Sequence, residues 1–209
     1  MDYLTLAGEV HAELEVKRSR FLATVRRVAD EPAALELVAE HRRLHHGARH
    51  SCSAFVLGPG QALVRASDDG EPSGTAGVPM LNVLTGMGLS DVAAVVTRYF
   101  GGTLLGAGGL ARAYSGAVSK ALEDAALVRR RLQELFRLSV DPGQAGQLES
   151  ALRGRGITVA EVRYAATEVL LTVAVQPDAA GSVRQLVGSL TSGGTVLEPA
   201  GQAWVDQPL

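Results

Sequence analysis

At 209 residues the chain is long enough for one large domain or two small ones. Its apolar content is that of a globular protein, and a net charge of −2 excludes bulk, charge-driven binding to nucleic acid. The single cysteine, Cys52, excludes an intramolecular disulfide framework and suits a reducing compartment.

No stretch reaches the apolar length of a transmembrane helix, and Met1–Gly8 lacks the basic start and apolar core of a signal peptide. The expectation is a cytoplasmic protein with no membrane partner. Charge is unevenly spread. Up to Arg131 there are 15 Lys/Arg against 14 Asp/Glu, then 5 against 8, and all five histidines lie in the first part. A local basic face is therefore compatible with the acidic total.

In chain order, Glu9–Val16 and Arg20–Val28 read as two strands joined by the polar Lys17-Arg18-Ser19. Pro32 begins a helical pattern with Leu35, Val38 and Leu44 apolar and Glu36, Glu40, Arg42 and Arg43 polar. His50–Leu57 and Ala62–Ser67 form a second strand pair around Gly58-Pro59-Gly60. Ser73 or Thr75 is placed to cap a helix through Met80, Leu81, Leu84 and Met87. Val92–Phe100 is a buried strand by its apolar run, and the helix after it keeps Leu110, Ala113, Tyr114, Ala117, Val118, Ala121 and Leu122 on one face.

The arginine triplet Arg129–Arg131 marks the expected boundary between domains 1–131 and 132–209. Beyond it run Leu135–Val140, Gly143–Arg153, Ile157–Tyr164, Glu168–Gln176, Asp178–Leu190 and Thr195–Val205. Strand–helix–strand twice over is the order of a ferredoxin-like sandwich. This second unit has no glycine-rich loop and reads as a docking module.

Two segments of the first unit carry chemistry. One is the acidic turn SDDGEPSGTAG (Ser67–Gly77), with Asp68, Asp69, Gly70 and Glu71. The other is the glycine loop after Arg98 and Tyr99, with Gly101, Gly102, Gly106, Gly108 and Gly109. Glycines at such density allow close backbone approach. Gly106–Ala111 fits the dinucleotide fingerprint only in its letters, since Gly101–Leu105 separate it from the strand and no acidic strand end follows. A phosphate loop fails because Ala107-Gly108 stand where Lys and Ser/Thr belong. What survives is a helix start able to hold an anion, against tight helix–sheet packing as the plainer reading.

The three carboxylates supply too few ligands for a metal and are equally expected from turn and dipole energetics, so neither a metal nor a cofactor is expected. Arg98 would pair with this turn or contact a phosphate. His50 and Cys52 share one strand face, and His41 and His45 stand one helical turn apart. The plain reading is a polar core histidine and an inert thiol, with His50 kept as a further site candidate. Lys17, Arg18, Arg20, Arg26, Arg27, Arg42, Arg43, Arg49 and the triplet would line a phosphate-backbone surface or be scattered, solvated charges. Aromatic residues are scarce, which disfavours a stacking platform and leaves shape-based contact with structured RNA.

KRSRF (Lys17–Phe21), ARHSCSAF (Ala48–Phe55), SDDGEPSGTAGVPML (Ser67–Leu81) and VVTRYFGGTLLGAGGLARAY (Val95–Tyr114) resemble the YigZ-type bacterial proteins of the IMPACT family. The resemblance implies an α+β chain of two domains. The N-terminal one is of the kind shared by a small-subunit ribosomal protein and elongation factor G domain IV. The C-terminal one is ferredoxin-like, similar to elongation factor G domain V. Eukaryotic relatives are regulators of translation with an additional N-terminal partner-binding domain, which this chain is expected to lack.

The resulting expectation is a non-enzymatic, translation-linked regulator that binds RNA, the ribosome or a translation protein, with no DNA sequence readout. Its site residues would be Asp68, Asp69, Gly70, Glu71, Arg98, Tyr99, Gly101, Gly102, Gly106, Gly108 and Gly109, with Asp68 and Glu71 orienting Arg98. The alternative is a hydrolase acting on a phosphate- or peptide-containing substrate, using the carboxylates with His50.

Overall fold

A computed structural model describes residues 2–191 and 193–209. The chain is α+β and divides into two compact units, residues 2–130 with 207–209, and residues 131–206.

The first unit holds β1 (Asp2–Leu6), β2 (Val10–Val16), β3 (Ser19–Arg27), α1 (Glu31–Leu44), β4 (His50–Leu57), β5 (Leu63–Ser67), α2 (Gly77–Gly86), β6 (Val92–Tyr99) and α3 (Gly106–Leu122). An antiparallel sheet runs in the order β2-β3-β6-β4-β5. One sheet face meets α2 and α3 through Phe21, Ala23, Cys52, Ala54, Ala94 and Val96, packed on Met80, Leu84, Tyr114 and Val118. The other face meets α1 through Phe55, Leu57, Ala93 and Val95, packed on Ala34, Leu37 and Val38. Strand β6 is thus covered on both sides, which is why its sequence is a continuous apolar run. Strand β2 alternates half-buried and exposed, as an edge strand with one wet face does.

Helix α1 turns a different stripe inward from the one its leucines suggest. Ala34, Leu37, Val38 and His41 are buried, while Leu35 and Leu44 are exposed. Counting His41 as polar hid the i, i+3, i+4, i+7 pattern. Asp30 caps this helix, accepting a 2.9 Å bond from the Ala33 N–H. Helix α2 has neither Ser73 nor Thr75 as its cap. Thr75 Oγ1 donates to the Pro72 carbonyl instead, and Asp68, eight residues before Ala76, accepts from the N–H groups of Ala76 and Gly77.

Buried Asp91 ties β1 to the strand that leaves this unit. It holds φ +53° and accepts from the Tyr3 hydroxyl at 2.5 Å, Arg130 Nη1 at 2.9 Å and the Gly58 N–H at 2.9 Å. Burial, then the Asp91 carboxylate, pushes the Tyr3 phenol up to about 12. The division between the two units falls within the arginine triplet, between Arg130 and Arg131. The triplet lies inside β7 (Leu127–Val140), where Arg129 pairs with Asp2 and Arg130 with Asp91.

The second unit continues from β7 through α4 (Pro142–Arg153), β8 (Thr158–Tyr164), β9 (Val169–Val175), α5 (Ala180–Leu190) and β10 (Glu198–Pro208). Its sheet order, β10-β7-β9-β8, is that of a ferredoxin-like βαββαβ sandwich. The core is Phe136, Leu138, Val140, Leu171 and Val173 against Leu148, Leu152, Val183 and Val187.

Close backbone approach is real at two glycines of the first unit. A Cβ on Gly77 would lie 2.6 Å from the Ser67 nitrogen, and one on Gly101 would lie 2.0 Å from the Arg18 carbonyl carbon. The neighbour in each case is the chain's own backbone. At Gly101 it is the β2–β3 turn, whose residues Lys17 and Arg18 take φ +48° and +67° as a tight two-residue hairpin requires. Gly101→Ala is expected to lower stability by about 3 kcal/mol or more through overpacking on a backbone that cannot yield. Thermal melts against wild type measure this.

Candidate functional site

The site forms where strand alternation and the acidic turn meet. In the sheet register His50 lies opposite Arg98, and Arg98 opposite Phe21. These three therefore share one face, while Thr97 and Tyr99 point to the other. On that other face, toward α1, His41 Nδ1 lies 3.1 Å from Thr97 Oγ1 and His45 Nδ1 lies 3.1 Å from the Tyr99 hydroxyl.

Arg98 is 8% exposed and donates through Nη1 to Glu71 Oε1 at 2.7 Å. The Tyr114 hydroxyl donates to the same oxygen at 2.9 Å. The guanidinium carbon stands 5.6 Å from the Phe21 ring centroid and 5.5 Å from that of Phe100, within cation–π range of both. Glu71 thus orients Arg98, as the sequence led one to expect.

Asp68 does not share that task. Its carboxylate accepts from the N–H groups of Gly74, Ala76 and Gly77 at 2.8–2.9 Å. Burial pulls its pKa up, but these three bonds outweigh burial and hold it below the ordinary value. Asp69, at φ +42°, accepts from the Ser51 N–H at 2.7 Å and from Arg42 Nη2 at 2.6 Å. Its carbonyl oxygen sits 2.8 Å from His50 Nδ1. A carbonyl only accepts, so His50 donates from Nδ1, and in the neutral ring Nε2 is then the acceptor. Gly70 is required here, with φ +86° and space for a Cβ only at 3.3 Å from that imidazole.

The acidic turn, Arg98 and His50 are brought together, while the glycine loop largely serves the fold. The Gly101 N–H is taken by Ser19 Oγ at 3.1 Å, so it does not face a guest. Gly102 and Gly106 hold φ +82° and +69°, and Gly109 lets the Leu105 side chain approach to 3.1 Å of its would-be Cβ. Gly106 and Gly108 are exposed at the start of α3 and do not line the cleft described next.

An open cleft of about 630 Å³ lies in front of Arg98, bounded by residues 47–50, by Arg98, Tyr99 and Phe100, and by Leu104. Its lining contains no carboxylate. A second cleft of about 360 Å³ shares Ala48 and Arg49 with it and adds Arg42, His45, His46, Ser51 and Asp69. Arg49 is exposed and makes no ion pair among the described residues. By contrast Arg20, Arg26, Arg42 and Arg43 are each paired with Glu or Asp. Phe100 and Leu104 are 58% and 83% exposed. Sequence reasoning set Arg49 among eleven basic residues and passed over Phe100 and Leu104. The usable signal was position, since Arg49 directly precedes His50 and Phe100 directly follows Tyr99.

Cys52 has the surroundings of an inert thiol. It is buried, its Sγ donates to the Asp68 carbonyl, and burial, outweighing the lowering effect of Tyr114, pushes the thiol up to about 12. Among the described residues, no group of three His, Cys, Asp or Glu is placed to hold a metal ion. None of the described helices is long and apolar enough to cross a membrane.

Comparison with known proteins agrees with these motifs. Residues 17–122 match the Impact N-terminal domain, and residues 138–193 match a domain of unknown function, DUF1949. The IMPACT family member YvyE of Bacillus subtilis (strain 168) is 43% identical over 162 residues, 78% of this chain and 75% of that protein. The IMPACT family member YigZ of Escherichia coli (strain K12) is 40% identical over 152 residues, 72% of this chain and 74% of that one. A crystal structure of a hypothetical protein superimposes with a TM-score of 0.63 at 36% identity, covering 94% of this chain and 96% of its own. The chain belongs to the IMPACT family.

Arg98→Ala should cost about 3–5 kcal/mol, because it strands the Glu71 carboxylate in the interior. Urea unfolding would register it, and an unchanged midpoint would show the pair to be dispensable. His41 supplies a pH dependence. It is buried beside His45, and burial, then that neighbouring ring, pulls its pKa from 6.5 to about 4. The unfolded chain therefore binds the proton first on acidification. The stability from neutral His41 is complete above about pH 6.5 and is lost as pH falls toward 4, by at most about 3 kcal/mol. Urea melts at several pH values should show this slope, and His41→Gln should flatten it.

Proposed function

We propose that this chain is a translation-linked binding protein, not an enzyme, and that its cleft takes backbone phosphates of RNA on or near the ribosome. The translation link rests on what membership of the IMPACT family implies. The observation that carries the RNA reading is Arg49, an exposed cation with no counter-ion among the described residues, shared by two clefts of which the larger is lined by no carboxylate. An anion fits such a place, because Arg49 lines both clefts while the nearby Arg20, Arg26, Arg42 and Arg43 are neutralised by carboxylates.

In this reading domain 1–131 carries the site and domain 132–209 is a docking module. Arg98 and Tyr99 form the cleft wall, and Asp68, Asp69, Gly70 and Glu71 hold that wall in position. Gly101, Gly102, Gly106, Gly108 and Gly109 shape the loop that brings Leu104 to the rim. The protein acts in the cytoplasm, where the ribosome is. The hydrolase alternative keeps only His50 with a nitrogen available as a base, since Asp68, Asp69 and Glu71 are all committed to protein partners.

Arg49→Glu is expected to weaken co-sedimentation with ribosomes and to leave the melting transition within about 0.5 kcal/mol of wild type. With isolated RNA, Arg49→Ala should reduce the slope of log K against log salt by about 0.7–0.9 for each phosphate that Arg49 neutralises in the wild-type complex. Unchanged sedimentation and slope, with the fold intact, would exclude the cleft as the RNA-binding surface.

A further inference from the structure

Phe100 is a large apolar side chain left 58% exposed in a cationic cleft of a chain poor in aromatic residues. One side of its ring is occupied, because the Arg98 guanidinium lies over it at 5.5 Å. Arg98 is in turn fixed by Glu71 and backed by Phe21, so the ring rests on a support that does not move. Leu104, 83% exposed, borders the same cleft, and Arg49 also lines it, without a counter-ion among the described residues. The cleft therefore offers a flat apolar surface and an available cation within one opening of about 630 Å³, a volume suited to a small-molecule-sized guest.

A guest matching both halves carries a flat ring and a phosphate. Building on the RNA reading above, we infer that the cleft receives an unpaired RNA nucleotide, its base stacked on Phe100 beside Leu104 and its phosphate held by Arg49. An A-form duplex keeps its bases stacked and paired, so they are not available to Phe100, whereas loops, bulges and ends offer them. The neighbouring cleft shares Arg49 and adds Arg42 and His46, a further recess for an adjoining nucleotide. One aromatic with a cation beside it suffices for a single base, so the scarcity of aromatic residues is no obstacle to this mode.

The test is binding measured by fluorescence anisotropy, at fixed salt, with two probes. One is an RNA single strand of about a dozen nucleotides without self-complementarity, and the other is the same strand annealed to its complement. Wild type should prefer the single strand. Phe100→Ala should weaken that complex about tenfold and leave the duplex complex unchanged. Phe100→Tyr should restore it, and Arg49→Ala should weaken both complexes. Exposure of Phe100 lets the variants keep the fold, which their melts would verify. Equal affinity for both probes, or a Phe100→Ala variant indistinguishable from wild type on the single strand, overturns the stacking inference and leaves the RNA reading standing. Failure of folded wild type to bind either probe overturns both.

Discussion

A guanidinium removed from water must be stabilised by its neighbours, and around Arg98 a carboxylate and two rings do so while its buried Nε has no hydrogen-bond partner among the described residues. Glu71 supplies the counter-charge, Tyr114 shares the same carboxylate oxygen, and the rings of Phe21 and Phe100 flank the cation. The two side chains of the ion pair are 8% and 4% exposed. Such a pair adds little net stability over an apolar substitute, but either half left alone is costly. Its effect is to fix where the acidic turn lies against the end of β6, and so where the wall of the cleft stands.

The acidic turn shows how residues that look like catalytic carboxylates can be consumed by architecture. Asp68 gathers three backbone N–H groups at the start of α2, where no local side chain caps the helix. Asp69 accepts a positive φ to reach the Ser51 amide and Arg42 while its carbonyl fixes the tautomer of His50. Positive φ at a non-glycine residue is costly and persists only where the surroundings over-determine it. Gly70 follows because the imidazole leaves little room for a side chain. The turn is thus a rigid buttress behind the cleft.

The proposed RNA contact rests on groups that remain unneutralised. Most N-terminal arginines are spent on intramolecular carboxylates, which reconciles a basic-looking sequence with a net charge of −2. Arg49 is spared, and the exposed Phe100 and Leu104 lie in the same cleft. Recognition as proposed relies on a few contacts in a recess, in contrast to the broad electrostatic footprint of a strongly basic nucleic-acid binder.

Much of the fold was legible in the sequence because periodicity is a local property. The buried face of α3 matched residue for residue, the double covering of β6 was visible in its apolar run, and the βαββαβ order of the second unit needed only the alternation of patterns. The family motifs likewise lie within residues 17–122, the span that matches the Impact N-terminal domain. What tertiary structure alone decided was the pairing of polar groups far apart in the chain. Arg98 meets Glu71 and Arg42 meets Asp69, each across 27 positions, and the cap of α2 comes from Asp68. Charge and hydrogen-bonding capacity are written in the sequence, but which partner satisfies each group depends on register and on loop geometry. The same holds for Gly101, whose close neighbour is a hairpin backbone more than eighty residues earlier.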